Sequence, residues 1–128
     1  MSKVVFDTRF FIEHYYSKDE GVLRKTKEAI RRNRERYVST IVIHEVYRLT
    51  LEREGRETAI LRANSLEKDF KVLNVDSDIA KSSAKLRHRY KVPMADSIIA
   101  ATALSLKATC LSDDSHFEIV KEIKTEWI

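Results

Sequence analysis

The chain has 128 residues and a mass of 15.0 kDa, enough for a single domain over residues 1–128 with a real core. Hydrophobic residues make up 43% and charged residues 34%, which excludes a disordered chain, and no apolar run is long enough to span a membrane. One cysteine, Cys110, excludes an internal disulfide and a cysteine-based zinc site, while 24 Lys plus Arg against 20 Asp plus Glu leave a net charge of +4, compatible with a nucleic-acid partner.

The N-terminal run Met-Ser-Lys-Val-Val-Phe-Asp enters a strand-like segment, Lys3 to Phe6, with no signal-peptide pattern, so a cytoplasmic location is expected. Thr8 to Tyr16 and Glu20 to Glu35 have helical spacing and are separated by a break near Ser17-Lys18-Asp19. A short strand, Tyr37 to Ser39, leads to a helix over Thr40 to Glu54 that Gly55 stops at C′. Arg56 to Asp69 forms the next helix and Lys71 to Val75 the next strand. Asp76 caps a helix running to about Tyr90, and Pro93 opens another that reaches Lys107. Thr109 to Leu111 is a strand, a short helix follows Ser115, and Glu122 to Glu126 is the last strand. Strands separated by helices predict an α/β fold, a three-layer α/β/α sandwich with a mostly parallel central sheet. Heavy charge with three Asn and no Gln points to a heat-adapted source.

In parallel sheets, ligands bind beyond the carboxyl ends of the strands, where strand order reverses. Four acidic positions fall on that edge. Asp7 directly follows the first strand, where it serves either a site or the N-cap of the next helix. Glu45 lies in the apolar run Ile41-Val42-Ile43-His44-Glu45-Val46, beside a buried helix face. A carboxylate there needs a cation partner, with Arg48 the nearest candidate, or it sits at the surface. Asp96 is the only acid of the small, apolar helix after Pro93. The helix dipole favours its charge without explaining an acid on an otherwise buried helix. Asp113 and Asp114 end a strand; extended neighbours point to opposite sides, so one of the two faces the site. Ser-Asp-Asp-Ser is equally good turn chemistry.

Val-Val-Phe-Asp-Thr, Ser-Thr-Ile-Val-Ile-His-Glu-Val, Val-Pro-Met-Ala-Asp-Ser-Ile-Ile-Ala-Ala-Thr-Ala and Leu-Ser-Asp-Asp-Ser-His-Phe together resemble the PIN-domain nucleases. Within that family the chain looks most like the VapC toxins of toxin–antitoxin pairs, over essentially its whole length. The resemblance implies a metal-dependent ribonuclease whose catalytic and metal-binding acids are Asp7, Glu45, Asp96 and Asp114. Asp114 is favoured over Asp113 because Ser112, Asp114 and Phe117 match a Ser/Thr-x-Asp-x-x-Phe motif. Ser112, Thr8 and Asp113 are expected in support, with Ser112 holding a water or a neighbouring carboxylate. Arg9 departs from the family, where a small Ser or Asn is more common; it either contacts a phosphate or competes with the metal for Asp7.

Clustered carboxylates raise one another's pKa, and a divalent cation removes the conflict; oxygen-only ligands suit Mg²⁺ or Mn²⁺. Metal-activated water would then hydrolyse RNA to a 5′-phosphate and a 3′-hydroxyl. Positive charge for the substrate is available from Lys25, Lys27, Arg31, Arg32, Arg34 and Arg36, expected on one helix, and from Arg87, His88, Arg89 and Lys91. Arg9 and Arg48 are further candidates for RNA contact. His44 and His116 flank site acids, but His44 is turned about 100° from Glu45, and a catalytic histidine is not expected. The resemblance also implies a homodimer and a VapB-type antitoxin partner. The alternatives are a PIN-like RNA-processing nuclease without an antitoxin, or a catalytically weak RNA-binding or scaffold module. Receiver, phosphatase and dinucleotide-binding readings fail for want of an acidic pair after the first strand, an Asp-x-Asp motif and a glycine-rich turn.

Overall fold

A computed structural model of the protein describes residues 2–128. Among these residues, five strands alternate with seven helices: β1 Lys3–Phe6, α1 Thr8–Tyr16, α2 Glu20–Arg32, β2 Glu35–Ser39, α3 Thr40–Glu54, α4 Arg56–Asp69, β3 Lys71–Leu73, α5 Ser77–Tyr90, α6 Met94–Leu106, β4 Thr109–Leu111, α7 Ser115–Glu118 and β5 Lys124–Glu126. The sheet has the order β3-β2-β1-β4-β5, and every pairing is parallel. This is the α/β/α arrangement expected from the sequence. The order reverses between β1 and β4, so the carboxyl ends of those two strands form the switch point.

Side-chain caps explain where the helices begin. Asp19 accepts from the N–H groups of Gly21 and Val22, Ser39 from Ile41, Asp76 from Ile79 and Asp114 from His116. Gly55 ends α3 and begins α4 at once. Its φ of 90° and ψ of 179° lie in a region that only glycine occupies cheaply.

The central strand is covered on both faces, as a parallel sheet requires: Val4, Val5 and Phe6 are all buried. One face carries an aromatic cluster in which Phe6 meets Phe10 at 4.8 Å and Phe70 at 5.0 Å, both edge-to-face. Ala100, Ala101 and Ala103 keep α6 slim, so its backbone lies close to the sheet. Arg62 of α4 fastens the first helices together. Its guanidinium lies 4.3 Å from the Tyr15 ring and 5.0 Å from the Tyr16 ring, donates to Tyr16 Oη at 2.8 Å, and pairs with Glu54.

Several element boundaries differ from the sequence reading, each for a local reason. The strand expected from Tyr37 begins at Glu35, because Lys3 and Val4 of β1 pair with Glu35 and Arg36, and α6 ends at Leu106, because Lys107 turns left-handed with φ 53°. The second helix ends at Arg32, not Glu35, because Asn33 folds back and donates from Nδ2 to the Ala29 carbonyl at 2.7 Å. Arg34 and Arg36 therefore leave the expected basic helix. Arg36 instead donates to the carbonyls of Ile30, Asn33 and Asp69, capping the C-termini of α2 and α4. The strand expected to reach Val75 stops at Leu73, which pairs with Ser39, the last residue of β2. The last strand starts at Lys124 rather than Glu122, since β4 offers only three residues to pair. Pro93 stands just before α6 as its N-cap residue rather than inside it.

Candidate metal centre

Register assembles the site. Phe6 pairs with Leu111, so Asp7 and Ser112 are the next residues out of β1 and β4, and the Asp7 N–H donates to the Leu111 carbonyl. Ser112 Oγ donates to Asp7 Oδ2 at 2.7 Å and accepts from the Asp114 N–H at 3.1 Å. One buried hydroxyl thus ties the first acid to the last loop. Asp7 occupies the N-cap position of α1, yet its carboxylate makes no capping bond and is 3% exposed. Burial pushes its pKa from 3.8 to about 6, partly offset by the Ser112 hydroxyl, while the charge of Asp96 adds to the rise.

On the opposite side of β1, Val5 pairs with Tyr37, which sets Asp7 level with Ser39 at the start of α3. Glu45 lies in the second turn of that helix, half-buried, and its Oε1 accepts from Thr8 Oγ1 at 2.6 Å. The candidate partner Arg48 turns the other way and pairs with Glu52 at 2.6 Å, a surface pair one helical turn on. The Glu45 carboxylate is therefore steadied by a hydroxyl rather than paired with an arginine.

Asp96 projects from the first turn of α6. Burial raises its pKa, and the neighbouring charges of Asp114 and Glu45 add to that rise. The charge of Asp96 is felt at Asp7, and those of Asp114 and Glu45 at Asp96, so Asp96 links the four acids on one edge of the sheet. The two adjacent aspartates diverge. Asp114 turns inward, whereas the exposed Asp113 turns out and receives Arg9 Nε at 2.6 Å. The Arg9 guanidinium is accordingly held by Asp113 and makes no bond to the Asp7 carboxylate.

His116, read from the sequence as flanking the site acids, stands against two of them. Its Nδ1 lies 2.9 Å from Asp96 Oδ2 and 3.1 Å from Asp114 Oδ1. It is two residues beyond Asp114 in the first turn of α7, and its own N–H donates to the Asp114 side chain. Spacing within Asp114-Ser115-His116 was the available signal: a short helix capped by Asp114 returns residue 116 to the capping carboxylate. Asp96, Asp114 and His116 offer ligand atoms that all lie within 4.8 Å of one another. Arg87 and Arg89 stand farther off on α5, where Arg89 pairs with Glu122 at 2.7 Å.

The donor set fits a divalent cation. Asp96 and Asp114 offer carboxylate oxygens and His116 an imidazole nitrogen, and two of the acids nearby, Asp7 and Asp96, hold their protons more tightly than free carboxylates do. Comparison with family models matches the PIN domain over residues 4–123. The chain belongs to the PIN-domain family. Among solved structures, DNA-bound VapBC from Salmonella typhimurium superposes with a TM-score of 0.80 at 20% identity, covering 99% of this chain and 98% of that one. A toxin–antitoxin complex from Klebsiella pneumoniae gives 0.78 at 24% identity, covering 98% and 100%. VapC20 of Mycobacterium tuberculosis, a toxin that cleaves the sarcin-ricin loop, gives 0.75 at 16% identity, covering 95% and 99%. No curated protein sequence matches the chain. At these identities the structural likeness establishes the shared PIN fold.

Proposed function

We propose that this PIN-domain protein is a metal-dependent endoribonuclease, the toxin of a VapBC-type pair, working in the cytoplasm. The observation that carries the reading is the convergence of Asp7, Glu45, Asp96 and Asp114 at the switch point, with Ser112 and Thr8 bonded to the first two. Those four carboxylates would hold one or two Mg²⁺ or Mn²⁺ ions, with His116 beside Asp96 and Asp114. When bound, such a cation makes a water more acidic and offsets charge on the phosphate during in-line attack.

The chain's own residues supply the rest. Ser112 fixes the rotamer of Asp7, and Thr8 fixes that of Glu45. Asp96 and Asp114, less buried than Asp7, are placed to orient the attacking water and take up its proton. Attack by water leaves a 5′-phosphate and a 3′-hydroxyl, and the ribose 2′-hydroxyl takes no part. Leu51 and Leu61, 41% and 67% exposed on the α3–α4 pair, favour a partner surface of the kind an antitoxin segment or a second copy would cover. None of the helices among the described residues is long and apolar enough to cross a membrane.

The deciding experiment is cleavage of labelled single-stranded RNA with Mg²⁺ or Mn²⁺, against EDTA and against Asp7→Asn and Asp96→Asn. Metal-dependent cutting lost in both variants is the expected result. A 2′,3′-cyclic phosphate product, or cutting that survives EDTA, overturns the mechanism; no cutting by well-folded protein on several RNAs leaves the binding-module reading.

A further inference from the structure

Beside the acidic cluster, α5 and α6 enclose an open groove of about 860 Å³. Its composition is unlike that of the metal centre. Val75, Val92, Met94 and Ile98 form an apolar wall, and two of them are unusually bare for their size: Met94 is 58% exposed and Val75 37%. Arg87, His88 and Lys91 line the same groove, at the C-terminal end of α5 and just beyond it. No carboxylate lines it, and among the described residues Arg87 and Lys91 form no ion pair, whereas neighbouring Arg89 is taken up by Glu122. His116 belongs to both places. It lines the groove and touches Asp96 and Asp114, so the groove opens directly onto the acids.

We propose that this groove is a nucleotide subsite, which seats one unpaired nucleotide of an RNA strand next to the bond to be cut. This rests on the ribonuclease reading and says where the strand runs. An apolar wall suits the face of a base, which needs no hydrogen-bond code to bind. Free cations suit the adjoining phosphate, and they stand beyond the acids, where the strand would otherwise be repelled. A duplex hides its base faces, so the subsite selects unpaired strands. Arg87 and Lys91 are phosphate-binding residues in this account, and the wall sets how well a base fits.

The test measures binding apart from cleavage. A fluorescein-labelled, unpaired RNA of about ten nucleotides is titrated by anisotropy against the Asp7→Asn chain, which keeps the groove intact. Three further changes are added singly: Ala84→Trp, which fills the groove from an exposed position, Arg87→Ala, and Lys91→Gly, which removes the charge where φ is 58° and glycine fits. Lys68→Ala on α4, an exposed residue away from the groove and the acids, controls for general loss of charge. Each groove change should weaken binding about five- to tenfold. The two charge removals should each lower the salt slope of log K by about 0.7, and Lys68→Ala should leave affinity near that of the parent. Affinity in the three groove variants equal to that of Lys68→Ala overturns the subsite, even where wild-type protein cleaves RNA. Failure of wild-type protein to cleave, with groove-dependent binding retained, overturns the nuclease reading and keeps the subsite.

Discussion

Ser112 Oγ sits 2.7 Å from Asp7 Oδ2, joining residues 105 positions apart at the point where the two central strands end. The bond steadies a carboxylate that the fold itself disfavours. The folded chain keeps the Asp7 proton up to about pH 6, whereas the unfolded chain releases it near 3.8. Folding therefore takes up a proton in that window. The stability linked to Asp7 is fully present below pH 3.8 and is lost as pH rises through about 6. The burden at neutral pH is about 3 kcal/mol at most.

Asp7→Asn should accordingly raise stability at pH 7 by about 1–3 kcal/mol while abolishing metal-dependent cleavage, because the amide oxygen still accepts from Ser112. Urea denaturation from pH 4 to pH 8 checks it. The gap between variant and wild type should open between pH 4 and pH 6 and stay level above. The half-buried His14 works in the opposite sense, its pKa being lowered by burial, so the fold weakens on that account as pH falls. It is common to both proteins and cancels in the difference.

Binding of Mg²⁺ or Mn²⁺ should raise the melting temperature by roughly 5–10 °C near saturation at pH 7.5, and EDTA should reverse it. The rise should shrink at pH 5, where Asp7 is mostly protonated and a proton competes with the ion. An equal rise at both pH values would place the cation elsewhere than at Asp7.

Arg9→Ser restores a small residue of the sort common in the family, and its effect should be slight. The guanidinium is half exposed and engaged with Asp113, which makes it a surface pair worth less than about 1 kcal/mol. The same substitution should leave the cation-induced rise in melting temperature unchanged, since the Arg9 guanidinium is engaged by Asp113 and not by Asp7. Differential scanning fluorimetry with and without Mn²⁺ reads both effects at once.

Arg62→Ala should cost about 2 kcal/mol, and Arg62→Lys most of that, because a lysine cannot lie flat against two tyrosine rings. Chemical denaturation measures the loss. RNA cleavage should persist in both variants where the fold is retained, the arginine lying outside the acidic cluster.

Much of this molecule was legible in its sequence. Val4-Val5-Phe6 could only be a strand covered on both faces, and Asp7 follows it so closely that a place at the sheet edge was unavoidable. Asp96, alone among small apolar residues, announced itself in the same way. What escaped notice depended on contacts between distant segments. The end of α2 is decided by Asn33 together with Arg36, whose guanidinium reaches across to the Asp69 carbonyl. Arg48 and Glu45 share a helix and looked like partners, but Glu52 offered Arg48 a better turn and Thr8 came to Glu45 from another element. The contact of His116 was obscured because it is made with Asp96, twenty residues earlier on a separate helix.

The lone cysteine gives the molecule a clock of its own. Cys110 is fully enclosed in β4, aligned with Val5 of β1, and burial together with the charges of Asp7, Asp96 and Asp114 keeps its thiol well above its ordinary pKa. A thiol reagent can reach that sulfur only after the layer covering its face of the sheet lifts away. The rate at which the intact chain becomes labelled therefore times the opening of its centre, without any engineered probe. Anything that clasps the acids lying over that strand should slow the clock.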